Sequence, residues 1–147
     1  MEYRKANIKL AKAFLKRAEG DLRSAKILLD AGEFPDSIYH SQQCSEKAIK
    51  ALLVMENKFV RQHIVSGIFK EVIENFAEKW KEKLIEILPD IESLEIHWIL
   101  PRYPEPFGEE IWNPEEEYSE KDAKEAFAKA ERILKILKAF LKENYKI

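Results

Sequence analysis

Residues 37–53 read SIYHSQQCSEKAIKALL, and this stretch decides the fold. Wound as a helix at about 100° per residue, it places Ile38, Ser41, Ser45, Ala48, Ile49 and Leu52 on one side. His40, Gln43, Lys47 and Lys50 line the other side, at spacings of three, four and three. One face is made of small and apolar residues that suit a core. The other is a compact His/Gln/Lys/Lys stripe, open to a ligand or to a second subunit. Lys47 and Lys50 are either ordinary solvated lysines or, beside His40, a small anion site closed by a second copy.

Helical periodicity continues on both sides of this stretch. Upstream, Ala11, Phe14, Leu15, Ala18, Leu22, Ala25 and Leu29 recur at spacings of three and four, which predicts a first helix over about Ala6 to Ala31. Gly32 can close it in a left-handed conformation. Pro35 blocks its continuation, and Asp36 is placed to cap the second helix, which runs to about Asn57. A connection this short makes the two helices antiparallel neighbours. Downstream, Val60–Val65 is a linker carrying Arg61 and His63. Ser66 is placed to cap a short helix with Ile68, Phe69, Val72, Ile73 and Phe76 inward. Lys81–Leu88 is helical up to a break at Pro89, and helicity resumes from Asp90 to about Ile99.

Residues 101–118 differ in kind. Pro101, Pro104, Pro106 and Pro114 punctuate an acidic segment that also holds Tyr103, Phe107, Trp112 and Tyr118. It reads as an irregular loop, serving either as a strap over the bundle end or as a partner-binding element. Ser119 and Asp122 then form a capping box with aspartate in the usual glutamate position. Ala123, Ala126, Phe127, Ala130, Ile133, Leu134, Leu137, Phe140 and Leu141 keep the helical period to the end. No strand pattern competes anywhere. The expected architecture is all-α: a single domain over residues 1–147, an up-and-down four-helix bundle with additional short helices.

Composition narrows the function classes. The chain is 46% hydrophobic and 35% charged, as expected of a globular domain and not of a disordered one. No apolar run reaches the roughly 18 residues of a membrane span. The start, MEYRKANIKL, is charged from its second residue, unlike a secretory leader. The single Cys44 rules out an internal disulfide framework. The expected compartment is cytoplasmic, and the excess of Lys and Glu over Gln, Cys and Met points to a heat-adapted source. The net charge of −2 hides opposed blocks: residues 1–31 carry +4 and 119–147 carry +3, whereas 64–100 carry −4 and 101–118 carry −5. Such blocks attract within a fold or across a dimer.

Most site chemistry is excluded by spacing. The four scattered glycines make no phosphate loop. No Glu-x-x-His occurs, and His40, His63 and His97 lack zinc spacing, so no metal and no cofactor is expected. Cys44 reads as a packing residue and His97 as a half-buried one beside Trp98. Lys9, Lys12, Lys16, Arg23 and Lys26 form a basic band on the first helix, read as a solvated face.

The segment Ser37–Leu53 resembles the signature helix of HEPN domains, named for higher eukaryotes and prokaryotes nucleotide-binding. The resemblance rests on Tyr39-His40, Gln43 and Glu46-Lys47-Ala48-Ile49-Lys50-Ala51-Leu52. It is supported by Asp21-Leu22 and Ala25 on the first helix, by His63 ahead of the third, and by Arg102-Tyr103-Pro104. It implies a bundle that often dimerises. It also implies a stand-alone protein acting with a minimal nucleotidyltransferase partner in a toxin–antitoxin system. Many members of that family are metal-independent ribonucleases marked by an arginine followed, after four to six residues, by a histidine. Here only Arg61 closely precedes His63, with one residue between them, so that hallmark is absent.

The expected function is therefore a nucleotide- or RNA-binding module. Its ligand-binding residues are His40, Gln43, Lys47 and Lys50, with Arg102 and Tyr103 from the proline-rich segment. Lysines and arginines neutralise phosphate, and Tyr103 stacks on a base. The alternative is a ribonuclease with a degenerate site at Arg61 and His63, which point the same way if the linker is extended.

Overall fold

The computed structural model describes residues 2–147, with side chains from Arg4 onward. The long helices are α1 (Glu2–Asp30), α2 (Phe34–Met55) and α7 (Glu120–Tyr145). Shorter helices α3 (Ser66–Ile73), α4 (Glu78–Glu86) and α5 (Leu88–Glu95) close the remaining side, followed by a 3-10 turn at Ile96–Trp98. α2 is the centre of the bundle and packs on α1, α7, α5 and α3. Its apolar face reads true: Ile38, Ser41, Ser45, Ala48, Ile49 and Leu52 are all buried. Ala11, Leu15, Ala18 and Ala25 of α1 and Ala123, Ala130, Ile133 and Leu137 of α7 complete the core. The alanines let the three rods approach closely.

Boundaries follow backbone chemistry. Gly32 adopts φ +80°, where a Cβ would be strained, and ends α1. α1 begins earlier than the first apolar repeat, at Glu2. Pro89 lies in the first turn of α5, where its missing N–H costs nothing, so the chain breaks between α4 and α5 as expected. Ser119 accepts from the Asp122 amide at 3.2 Å, and Asp122 accepts from the Ser119 amide at 2.9 Å, completing the capping box.

Two expected caps are replaced. Asp36 does not cap α2; the helix starts before it, with Pro35 in the first turn and Asp36 adding negative charge there. Ser66 is already helical, and α3 is capped across the fold instead. The buried Glu95 carboxylate accepts from the Val65 and Ser66 amides, both at 2.7 Å. A long-range cap of this kind leaves no local sequence signal.

The expectation that no strand forms is corrected in the 101–118 segment. β1 (Glu105–Phe107) pairs antiparallel with β2 (Glu110–Trp112), with Glu105 opposite Trp112, Pro106 opposite Ile111 and Phe107 opposite Glu110. Gly108 at φ +63° opens the two-residue turn, and Pro106 sits opposite Ile111, between the hydrogen-bonded pairs, where no amide donor is needed. Three-residue strands are too short for an alternating pattern to register. A short helix α6 (Pro114–Glu117) leads into α7. Trp112 anchors the hairpin: its indole N–H donates to Leu100 O at 2.8 Å and its ring meets Tyr118 edge-on. The segment is a strap at its Trp112/Tyr118 end and exposed at its Phe107 end.

Opposed charge blocks meet within the fold. Arg132 of α7 holds Asp90 of α5 through Nε and one terminal nitrogen, at 3.0 and 3.3 Å, and the minority charges of the same two blocks pair as well, Lys79 with Glu143 at 2.9 Å. These pairs are largely exposed and contribute little each.

Candidate functional site

The polar stripe of α2 does not face open solvent, because α1 and the linker each bring groups against it. Asp21 of α1, 3% exposed, lies under it. His40 Nδ1 donates to Asp21 Oδ1 at 3.0 Å and Lys47 Nζ to Asp21 Oδ2 at 2.5 Å. Burial alone would raise the Asp21 pKa, but the hydrogen bonds and positive charge of His40 and Lys47 outweigh it and hold the carboxyl below its usual range. Glu46, 5% exposed, is the second hub. It accepts from Gln42 at 3.1 Å, from Lys50 at 3.0 Å and from His63 Nδ1 at 3.2 Å. Gln43 donates to Gln42 at 2.7 Å. His40 and Lys47 thus gather on Asp21, and Gln43 and Lys50 on the Glu46 side, in two buried to half-buried clusters with both lysine charges met inside the chain.

Glu46 positions His63 at the surface. The imidazole stacks on Trp98, with ring centroids 4.4 Å apart and planes 12° from parallel. Trp98 in turn borders Arg102, whose guanidinium carbon stands 4.9 Å from the Tyr39 ring centre, 5.4 Å from Tyr103 and 5.9 Å from Trp98. Among the described residues Arg102 has no carboxylate within ion-pair distance. His63, Trp98, Arg102, Tyr39 and Tyr103 therefore make one continuous strip, with His63, Arg102 and Tyr103 exposed and Tyr39 and Trp98 half-buried.

Arg61 and His63 do not share a face. The chain bends at Gln62–His63, which breaks the extended alternation. Arg61 turns into a hollow with Leu10, Phe14, Lys50, Val54, Lys58, Phe59 and Val60, whereas His63 lines another with Gln62, Ile64 and Trp98. Sequence reasoning gives no role to Asp21, Tyr39 or Glu46 beyond their places in the family pattern, and none to Trp98. Glu46 was open to discovery through its four-residue spacing to Lys50. Asp21 and Trp98 were not, because their partners are long-range contacts.

The remaining candidates behave as packing groups. Cys44 is fully buried; burial, with the Asp21 charge adding to it, pushes its thiol up to about 12. His97 hydrogen-bonds with the Tyr118 hydroxyl at 2.8 Å, and burial, then Lys129, lowers its pKa. No cluster of three or more His, Cys, Asp or Glu fit for a metal occurs among the described residues. Nor is any described helix long and apolar enough to cross a membrane.

A helical bundle with this signature helix and this Arg-Tyr strip defines a class, and the chain belongs to it: the HEPN domain family model matches residues 11–140. Its similarity extends to "Putative toxin MJ1304" of Methanocaldococcus jannaschii, which is 55% identical over 141 residues, covering 95% of this chain and 93% of that protein. ST0689, an archaeal HEPN homologue of known crystal structure, superposes with a TM-score of 0.67 at 30% identity, covering 90% of this chain and 98% of the other. TT1696 from Thermus thermophilus shares the fold, with a TM-score of 0.68 at 24% identity and coverage of 88% and 96%.

Proposed function

We propose that this chain is a toxin-type HEPN protein that binds nucleotide or RNA along the Tyr39–His63–Trp98–Arg102–Tyr103 strip. The observation that carries this reading is the setting of Arg102. Its guanidinium lies near three rings and has no carboxylate partner among the described residues. A cation with no carboxylate partner beside the exposed Tyr103 ring suits a phosphate next to a stacked base. In this reading His40, Gln43, Lys47 and Lys50 hold the floor of the site while Arg102 and Tyr103 meet the ligand. The likeness to a relative named "Putative toxin MJ1304" supports a toxin role; the chain would work as a homodimer with a minimal nucleotidyltransferase partner, as the resemblance to HEPN domains implies.

Fluorescence anisotropy with ATP, GTP and short labelled RNAs tests the binding. Arg102→Ala should weaken it at least about tenfold, the worth of one charged hydrogen bond. Unchanged affinity would remove the strip as the site. A second reading, a metal-independent ribonuclease, has its own support: Glu46 holds His63 Nδ1 and so fixes the tautomer that leaves Nε2 as a base. Incubation with structured RNA in EDTA decides between them. Cleavage that vanishes in His63→Ala would establish the enzyme over the binding module.

A further inference from the structure

Two surface features lie outside the strip, and each is incomplete alone. The first is the hollow between the early part of α1 and the end of α2, of about 240 Å³. Leu10, Phe14, Val54, Phe59 and Val60 give it an apolar lining, and Lys58 and Arg61 give it positive charge, the Lys50 charge being met by Glu46. No carboxylate lines it, and among the described residues Lys58 and Arg61 have no ion-pair partner.

The second is the β1–β2 hairpin. Phe107 is 74% exposed and Ile111 63% exposed. The register puts Phe107 on one face, with Glu105, Glu110 and Trp112, and Ile111 on the other, with Pro106. Glu105, Glu109 and Glu110 surround these two side chains, and the 101–118 segment carries −5.

We infer that the acidic Phe107/Ile111 hairpin of one copy of this chain inserts into the Leu10/Phe14/Lys58/Arg61 hollow of a second copy. Charge and polarity match in both respects: an apolar tip ringed by carboxylates meets an apolar floor ringed by cations. The hollow has room for one aromatic side chain such as Phe107, since a cavity of about 150 Å³ already admits a benzene ring. The occupant is a second copy because the complementary surface is present on the chain itself, and reciprocal insertion gives a closed pair. This rests on the self-association proposed above and specifies its interface. The same contact would bring Glu109 or Glu110 to Arg61, giving that arginine the partner it lacks within its own chain.

Sedimentation velocity over a concentration series, at low and high salt, tests the inference. The wild-type chain should dimerise, less tightly as salt rises. Phe107→Ser with Ile111→Ser should weaken the dimer at least about thirtyfold. Both side chains are exposed, so circular dichroism should report an unchanged fold. Lys58→Glu with Arg61→Glu should do the same, as should Glu109→Lys with Glu110→Lys. Combining the two charge reversals in one chain should restore dimerisation. A dimer indifferent to every variant would mean that self-association stands but uses another surface. A monomer in the wild type at all concentrations would sink self-association itself. Failure of the combined reversal to rescue would show that hairpin and hollow do not meet.

Discussion

Replacing Asp21 with asparagine is the sharpest probe of how this bundle holds its polar face. The change is nearly isosteric but removes the charge that His40 and Lys47 share across the α1–α2 seam. Breaking a buried ion pair from one side costs about 3–5 kcal/mol. Here the Lys47 side chain is 21% exposed and that of His40 32%, so water recovers part of the loss. The expected destabilisation is about 2–3 kcal/mol, or about 5–10 °C in Tm for a chain of this length. Urea unfolding followed by circular dichroism measures it, with an unchanged slope confirming the same two states. Removing Lys47 as well, as Asp21→Asn with Lys47→Met, should recover much of the loss, because the orphaned charge is gone. The effect must also fade in acid. The native Asp21 pKa lies below the unfolded value of 3.8, so its contribution is complete above that value and disappears as pH falls through the native pKa. A loss under about 0.5 kcal/mol at neutral pH would refute the role of Asp21 as the keystone of the seam.

Glu95→Ala should destabilise by about 2–3 kcal/mol, since two amides at the start of α3 lose a charged acceptor; Glu95→Gln, which keeps one acceptor oxygen, should cost less in the same melt. Cys44 should resist thiol reagents in the native state and react only at the rate of unfolding, because the group is buried and its pKa is pushed up to about 12; rapid native-state labelling would contradict the packing. His97 has a native pKa below its unfolded value of 6.5, so it should lower stability as pH falls from 6.5 through the native pKa. His97→Gln should flatten that part of the Tm–pH curve, and an unchanged slope would assign the acid sensitivity to other groups.

The elements legible in the sequence are those governed by local rules. Gly32, Pro35 and Pro89 mark breaks because they act on their own backbone, and Ser119 with Asp122 caps α7 within a single turn. Asp36 and Ser66 mislead because local capping preference is overridden: a proline already opens α2, and Glu95 arrives from 29 residues away to cap α3. The hairpin escapes a pattern reading because a glycine turn between three-residue strands has no period to detect.

The sequence by itself determined an all-helical bundle, its long rods and the apolar side of α2, because the 3.6-residue period and the breakers act within a few residues. Only the tertiary structure decided what the polar side of α2 faces. Asp21 of α1 meets His40 and Lys47 there, while His63, Trp98 and Arg102 come together from separate segments. A helical wheel shows which residues share a face. It does not show which charge from another helix is pressed against that face, and electrostatic partnership is set by distance in space.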